Sequence, residues 1–517
     1  MLSISLFLYF YNIIILTTVE SSTDRTIYVE YAPFPDIPDA VCKPKDERFW
    51  QKYDHFNGDN KDMWEQRYWN ISTFHKRGGP VFLWLNGASP LSKEWTYNGQ
   101  LMKYARKHNA YCFILEHRFY GKSHPRSILS MKGMETLHSK QALADAAYFI
   151  ESMKKQHPSL EKVKWIVFGG SYGGSLAAWL RLKYPSLVHG AVASGAALVA
   201  TDGYTKYYRL INDTFLSYQA NCIHEITKAY EHLNDLIKTE EGRIQIKDTF
   251  NLCTNLEDTT MAKKFFFYVL AENIAAVIEH SKDFKESNER NRLSEYHDSS
   301  DYSISAKLKY LTIKDVCYVM THKKCYWENK IKSTITRYAD VHKLILEKSH
   351  KICLDVNYTT FLHRMRETNV WLAPNDLKWL YQRCNEFGYF QTPDQKGKLF
   401  NQHMDKEFYI KMCSDVFLSG FDKIRIEKGI LETNRFYGER NTAYDDNILL
   451  VYGSLDPWKY LGIYEGIRYP QNKVLIIKDA GHCADLYLES FFDKNELKRA
   501  RKAISRVLES WLKQNYN

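Results

Sequence analysis

Residues 165–174 read Trp165-Ile166-Val167-Phe168-Gly169-Gly170-Ser171-Tyr172-Gly173-Gly174. An apolar run of β type meets a serine set among glycines, and a helical pattern then begins near Gly174 and stops before Pro185. A serine in Gly-x-Ser-x-Gly between a strand and a helix occupies a strained turn, where glycines remove Cβ clashes and the hydroxyl stands free for attack. A plain glycine-rich turn and a phosphate cradle are the competing readings. No Gly-Lys-Ser/Thr follows, and the order strand, tight turn, helix favours a nucleophile.

Working outward, short apolar runs at 81–85, 111–115, 165–168 and 191–193 alternate with helical patterns, as in a parallel sheet covered by helices. A helix from Ser139 stacks Leu143, Ala147 and Ile150 on one face, with Ser139 as N-cap. After about Asn441 the style returns, with strands at 448–452 and 474–477 and a last helix carrying Leu497, Ala500, Ile504, Val507 and Trp511 at helical spacing. Between about Thr201 and Glu439 the chain shows helical periodicity, many aromatics and few strand-like runs, and residues 281–303 are polar and charge-mixed, as in an exposed loop. The expected architecture is an α/β-hydrolase core, a mostly parallel sheet flanked by helices, in two parts (22–200 and 440–517) around an inserted helical cap (201–439).

A serine hydroxyl needs a base to take its proton, and that base needs a carboxylate to orient it. In this kind of sheet the order along the chain is Ser, then Asp or Glu, then His. Gly453-Ser454-Leu455-Asp456-Pro457-Trp458 follows one late strand, and Asp479-Ala480-Gly481-His482-Cys483 follows the next. Ser171, Asp456 and His482 are therefore the expected triad. Each signal is ambiguous alone, since the chain has 18 histidines and Asp-Pro is a common turn. Asp479 and Asp485 are rival acids, ranked lower because they lie close to His482 in sequence. The oxyanion needs backbone donors: Tyr172 supplies one, and Leu85-Asn86-Gly87-Ala88-Ser89, after the first core strand, offers Gly87 as the second or else a simple turn.

With 517 residues, 44% hydrophobic and 15% aromatic, the chain can bury a large core. Its net charge of +10, from 71 basic and 61 acidic residues, is spread along the chain, so no nucleic-acid partner is expected. Met1 to Thr18 is uncharged and apolar, which suggests a signal peptide over 1–21; a signal anchor is the alternative, but the run is short for a bilayer span. No later stretch reaches that length, so no stable membrane insertion is expected after signal removal. Sequons at Asn70, Asn212 and Asn357 and ten cysteines suit an oxidising secretory route. Seven cysteines (Cys222, Cys253, Cys317, Cys325, Cys353, Cys384 and Cys413) fall in the central interval, as if disulfides staple a loop-rich insert. None forms Cys-x-x-Cys, no metal site is expected, and the pairing stays open.

Further segments carry a resemblance: Asp54-His55-Phe56, Trp64-Glu65-Gln66-Arg67-Tyr68-Trp69, Leu115-Glu116-His117-Arg118-Phe119-Tyr120-Gly121 and Gln141-Ala142-Leu143-Ala144-Asp145. With Gly170-Ser171-Tyr172-Gly173-Gly174, Asp456-Pro457-Trp458 and His482-Cys483, they resemble the serine peptidase family of lysosomal Pro-Xaa carboxypeptidase, dipeptidyl peptidase II and thymus-specific serine protease. Cys384-Asn385-Glu386-Phe387-Gly388-Tyr389-Phe390 is most similar to the thymus-specific branch. The resemblance implies a hydrolase core with a helical cap, peptide substrates, cleavage often after proline, and a secreted or lysosomal location. It puts the nucleophile, acid and base on Ser171, Asp456 and His482.

Some positions depart from that pattern. Asn86-Gly87-Ala88-Ser89 stands where Gly-Gly-Glu-Gly is usual, so a carboxylate near the substrate channel is missing; Lys122, Gly195, Ala197 and Tyr452 replace Glu, Ser, Pro and Asn. These changes leave the triad in place and put exopeptidase recognition and proline preference in question. The expectation is a serine peptidase acting through an acyl-enzyme on peptides without metal or organic cofactor, with a homodimer left open. The alternatives are a hydrolase-fold binding protein with impaired turnover and an esterase.

Overall fold

The computed structural model describes residues 44–92, 99–130, 132–279, 311–322, 332–349, 351–394, 400, 403–418, 420–438, 447–463, 473–491 and 493–514. The expected signal peptide, Cys325 and the 281–303 segment lie outside these residues.

Eight strands form one sheet in the order β1-β2-β4-β3-β5-β6-β7-β8: β1 (Lys45–Lys52), β2 (Met63–Ile71), β3 (Val81–Leu85), β4 (Tyr111–Leu115), β5 (Trp165–Gly170), β6 (Gly190–Ser194), β7 (Ile448–Gly453) and β8 (Val474–Ile477). Pairs from β4 to β8 are parallel, while β1 and β2 pair antiparallel with each other and β2 with β4. The central strands read as unbroken apolar runs because both faces are covered. On β3, Val81, Leu83 and Leu85 enter one core and Phe82 and Trp84 the other; β4 and β5 alternate in the same way. One face packs on α2 (Ser139–Gln156) and α3 (Tyr172–Lys183), the other on α1 (Gln100–His108) and α14 (Asn495–Lys513). This is the α/β-hydrolase core.

The antiparallel pair has no counterpart in the strands expected from sequence. β1 is an edge strand, Lys-Asp-Glu-Arg-Phe-Trp-Gln-Lys, in which only Phe49 and Gln51 are buried, and charge on an edge hides strand periodicity while protecting the edge from aggregation. The expected N-cap at Ser139 is also corrected. His138 is the cap, its side chain accepting the Lys140 N–H, and Ser139 is the first helical residue, its hydroxyl directed to the Glu386 carboxylate at 2.5 Å.

The chain leaves the sheet after β6 and re-enters it at β7, and between them run α4 (Thr205–Tyr218), α5 (Ala220–Leu236), α6 (Glu240–Phe250), α7 (Thr260–Glu279), α8 (Ile313–Thr321), α9 (Thr334–Lys348), α10 (Tyr358–Met365), α11 (Asn375–Gln382), α12 (Lys406–Phe417) and α13 (Lys423–Tyr437). Of the three disulfides among the described residues, two anchor helices and one staples loop segments. Cys222–Cys317 ties α5 to α8, and Cys384–Cys413 ties a π-turn at Arg383–Phe387 to α12; Cys253–Cys353 joins the segments after α6 and α9. Cys112 and Cys483 are buried and in no disulfide. No helix among the described residues is long and apolar enough to cross a membrane.

Candidate active site

Ser171 stands between β5 and α3 with φ 55° and ψ −127°, a strained positive-φ conformation that a non-glycine residue holds only when its surroundings enforce it. They do so here. The Ser171 N–H donates to the Ser194 carbonyl at 2.8 Å, pinning the turn to β6. A β-carbon on Gly173 would lie 2.5 Å from the Leu85 carbonyl oxygen, so only glycine lets α3 start this close to β3.

The loops after β7 and β8 are tied together. Ser454 N–H donates to the Ile477 carbonyl, Leu455 N–H to the Ala480 carbonyl, and Asp479 N–H to the Ser454 hydroxyl, all within 2.9 Å. This brings Asp456 and His482 together although they are far apart in sequence. His482 Nδ1 lies 3.0 Å from Asp456 Oδ2, an ion-pair contact rather than an aligned hydrogen bond. The other Asp456 oxygen accepts the Trp458 N–H at 2.9 Å, which caps the short turn Pro457–Leu461. Burial opposes charging of His482, but the Asp456 carboxylate outweighs it and, with Cys483, holds the imidazole pKa well above its ordinary value.

The rival acids go elsewhere. Asp485 accepts from the Ser194 hydroxyl at 2.5 Å, and burial pushes its carboxyl up to about 6. Asp479 sits in a turn at φ 56°. The other side of His482 faces Gly195, where an added β-carbon would come 2.5 Å from Cε1.

Ser171 and Tyr172 line a cleft of ≈ 240 Å³ together with Asn86, Gly87, Ala88 and Ser89. Both expected oxyanion positions, Tyr172 and Gly87, thus share one cavity with the candidate nucleophile. Cys483, beside His482, belongs to the same wall.

The Tyr172 ring is fixed by a network that sequence reasoning missed. Burial pulls the His117 pKa down to about 4, leaving a neutral ring whose Nδ1 faces the Arg118 carbonyl at 2.7 Å and must carry the proton. Its Nε2 therefore accepts from the Tyr172 hydroxyl at 3.0 Å, and that hydroxyl accepts from Gln382 Nε2 at 3.0 Å. Arg118 itself grips Asp145 through two bonds of 2.6 Å, and His55 reaches the same carboxylate at 2.8 Å.

The inserted helices close the cleft with aromatic and acidic groups. Tyr207 and Trp379 join Trp458 of the β7 loop, and Glu272, Ala276 and Glu279 form one stripe of α7. Glu279 accepts from the Tyr207 hydroxyl at 2.6 Å and Trp458 Nε1 at 2.8 Å, and its carbonyl accepts the His482 N–H at 2.7 Å. Burial pushes the Glu272 carboxyl up to about 7, against the Tyr208 hydrogen bond and the Arg383 charge that favour ionisation. Although the Asn86–Ser89 loop carries no carboxylate, the cleft is lined by Glu272, Glu279 and Asp376. Two acids seven residues apart in the otherwise apolar second half of the helix Thr260–Glu279, broken only by Asn273, were the available signal.

Of the sequons, Asn70 lies within β2, Asn212 within α4, and Asn357 caps α10 by accepting the Thr360 N–H. None of the three is fully buried.

The model of the family described as serine carboxypeptidase S28 matches residues 51–504. Similar proteins include "Putative serine protease K12H4.7" of Caenorhabditis elegans, 32% identical over 90% of this chain and 88% of that one. Thymus-specific serine protease of Mus musculus is 27% identical over 92% and 89%, and lysosomal Pro-X carboxypeptidase of Homo sapiens 25% identical over 91% and 88%. Set beside a serine at a strained strand-to-helix turn in a cleft, a family match of this length means that the chain belongs to the serine carboxypeptidase S28 family and is a serine peptidase.

Proposed function

We propose that Ser171 attacks the scissile carbonyl of a peptide, that His482 takes its proton and passes it to the leaving amine, and that Asp456 orients and charges the imidazole. The acyl-enzyme on Ser171 is then hydrolysed by water activated by the same histidine. The N–H groups of Tyr172 and Gly87 stabilise the tetrahedral oxyanion. The observation that carries this reading is the joint geometry: a serine at φ 55° in the cleft, and a buried histidine in the loop beside it whose Nδ1 is 3.0 Å from a buried aspartate. Productive hydrogen bonds tighten in the substrate complex, so the ion-pair geometry of the free enzyme is compatible with this role.

Cleavage after proline is the finer reading. It draws support from the likeness to lysosomal Pro-X carboxypeptidase and from the aromatic walls Tyr207, Trp379 and Trp458, flat faces on which a pyrrolidine ring packs. The three disulfides fit an oxidising secretory compartment; residence in the lysosome or outside the cell, with glycans on the sequons, is the corresponding proposal.

A fluorophosphonate probe tests the core of this assignment. Wild type is expected to label and Ser171→Ala not to label, with loss of peptide cleavage by at least about 10³-fold. Folded wild type that resists the probe would overturn the nucleophile assignment. Paired peptides differing only in proline or alanine before the scissile bond test the finer reading, and equal rates would remove it.

A further inference from the structure

We propose that the acidic stripe of α7 makes this peptidase select peptides bearing a positive charge close to the scissile bond, with Glu279 and Glu272 as the specificity-determining residues. The inference rests on the catalytic reading above and adds the substrate class.

The position of Glu279 is the starting point. Its main chain holds the His482 N–H while its carboxylate is held by Tyr207 and Trp458, so an acidic group is fixed one residue contact from the base. Glu272 is seven residues earlier on the same helix face, about 10 Å along the axis, which is the span of about three extended peptide residues. Both line the cleft, with only Ala276 between them on the stripe. A carboxylate has about four acceptor positions; Glu272 uses one on Tyr208, and Glu279 uses two on Tyr207 and Trp458. Capacity for an ammonium group remains on Glu279, and on Glu272 above about pH 7, where its carboxyl is ionised.

The charge facing this stripe across the cleft is Arg383, joined by the acid Asp376. Arg383 spends N–H groups on the carbonyls of Gly388 and Tyr389 and on Gln391 Oε1, and its guanidinium lies over Phe390 and Tyr409. It braces the π-turn and the segment after it, and its charge also favours ionised Glu272. Against this one guanidinium the described lining sets three acids, Glu272, Glu279 and Asp376, so acidic groups are in excess in the cleft. A substrate ammonium could be a free α-amine or a Lys or Arg side chain, and the chemistry of recognition is the same.

The test uses the full-length protein and fluorogenic peptides of one sequence in which lysine, norleucine or glutamate is moved through the three positions on either side of the scissile bond, each with a free or acetylated amino terminus. Wild type is expected to show kcat/KM at least 10-fold higher for a cationic peptide than for its norleucine, acetylated counterpart at one or more positions. A free-amine advantage assigns amino-terminal recognition, and a lysine advantage in acetylated peptides assigns side-chain recognition. In Glu279→Gln, whose amide oxygen can still accept from Trp458 while its NH2 donates to the Tyr207 hydroxyl, and in Glu272→Gln, which can still bond Tyr208, the ratio is expected to fall to about 1–3.

Fluorophosphonate labelling rates and thermal melts of each variant separate lost selectivity from lost folding. Should one glutamine variant misfold, the other decides. A wild-type ratio near 1, a preference for glutamate, or a ratio untouched by both substitutions would overturn the proposal while leaving the nucleophile intact. Absence of labelling and of all cleavage would instead overturn the catalytic reading.

Discussion

Gly195 shows how one residue sets the geometry around a catalytic candidate. The related pattern has serine there, yet in this chain the residue adopts φ +60° and a β-carbon would press on His482 Cε1 at 2.5 Å and Cys483 Sγ at 2.7 Å. The imidazole occupies the space that a side chain would need. Gly195→Ala is therefore expected to push the ring away from Asp456 and to lower kcat by about 10-fold or more, since displacements of about 1 Å cost up to two orders of magnitude. Thermal stability should fall by much less than in a core cavity mutant, and steady-state kinetics alongside a melt checks both; unchanged kcat would show that the ring has room. Tyr452 illustrates the opposite kind of departure. It replaces a smaller polar residue and hydrogen-bonds the Ala196 carbonyl at 2.6 Å, bracing the same turn from the other side.

At the level of elements, the motifs that carried the resemblance do supporting work. Glu116 accepts from the Leu91 and Lys122 N–H groups and the Ser123 hydroxyl. Arg118 and Asp145, both fully buried, tie the loop after β4 to α2, and His117 with Gln382 fixes Tyr172 next to the nucleophile. The π-turn that follows α11 is itself locked. Glu386 accepts from the Ser139 N–H and hydroxyl at the start of α2 and lies 3.0 Å from His138, joining the insert to the core, and Cys384–Cys413 fastens the turn to α12 across 29 residues. Closing a loop of that length is worth about 3–4 kcal/mol on the chain-entropy account. The double variant Cys384→Ser, Cys413→Ser is expected to lose stability of that order in a denaturant titration, with slower labelling of Ser171 by fluorophosphonate. A loss below about 1 kcal/mol would mean that helix packing alone holds the turn.

For the whole molecule, buried titratable groups set the dependence of stability on pH. Burial pulls His117, His124 and His403 down to about 4 and His342 to about 3. Unfolded, these rings take protons below about 6.5; folded, they do so only near 3 to 4. Each therefore removes stability as the pH falls from 6.5 toward 4, by up to about 1.4 kcal/mol per pH unit. Glu272, raised to about 7, and Asp485, raised to about 6, act in the opposite sense, because the folded state keeps protons that the unfolded state has lost. Burial also lowers His108 and His189 and raises Glu116, so six histidines against three carboxyl groups leave a net loss on acidification. His482, whose folded pKa is raised, contributes stability below its unfolded pKa that is lost as the pH rises through the folded value. A stability maximum near pH 6.5 is expected, with Tm falling toward pH 4.5. His342→Gln should flatten the acid limb by about one proton, and a Tm that rises steadily down to pH 4.5 would refute the assignment of these histidines as buried and neutral.

Also at this scale, the amino-acid sequence alone determined the sheet-and-helix alternation, since strands buried on both faces must be continuously apolar: 81–85 and 111–115 were legible to the residue, as was 474–477, apolar although Ile476 is exposed. It determined the strand-end positions of Ser171, Asp456 and His482, because the turns that carry them need glycine and proline locally. The charged edge strand β1 escaped, its burial being only two residues deep. Which acid meets His482, where the ten cysteines' described pairs lie, and that Glu272 and Glu279 face the cleft were decided by the tertiary structure. Those are contacts between segments remote along the chain, and local periodicity carries no record of which distant surface a helix face will meet.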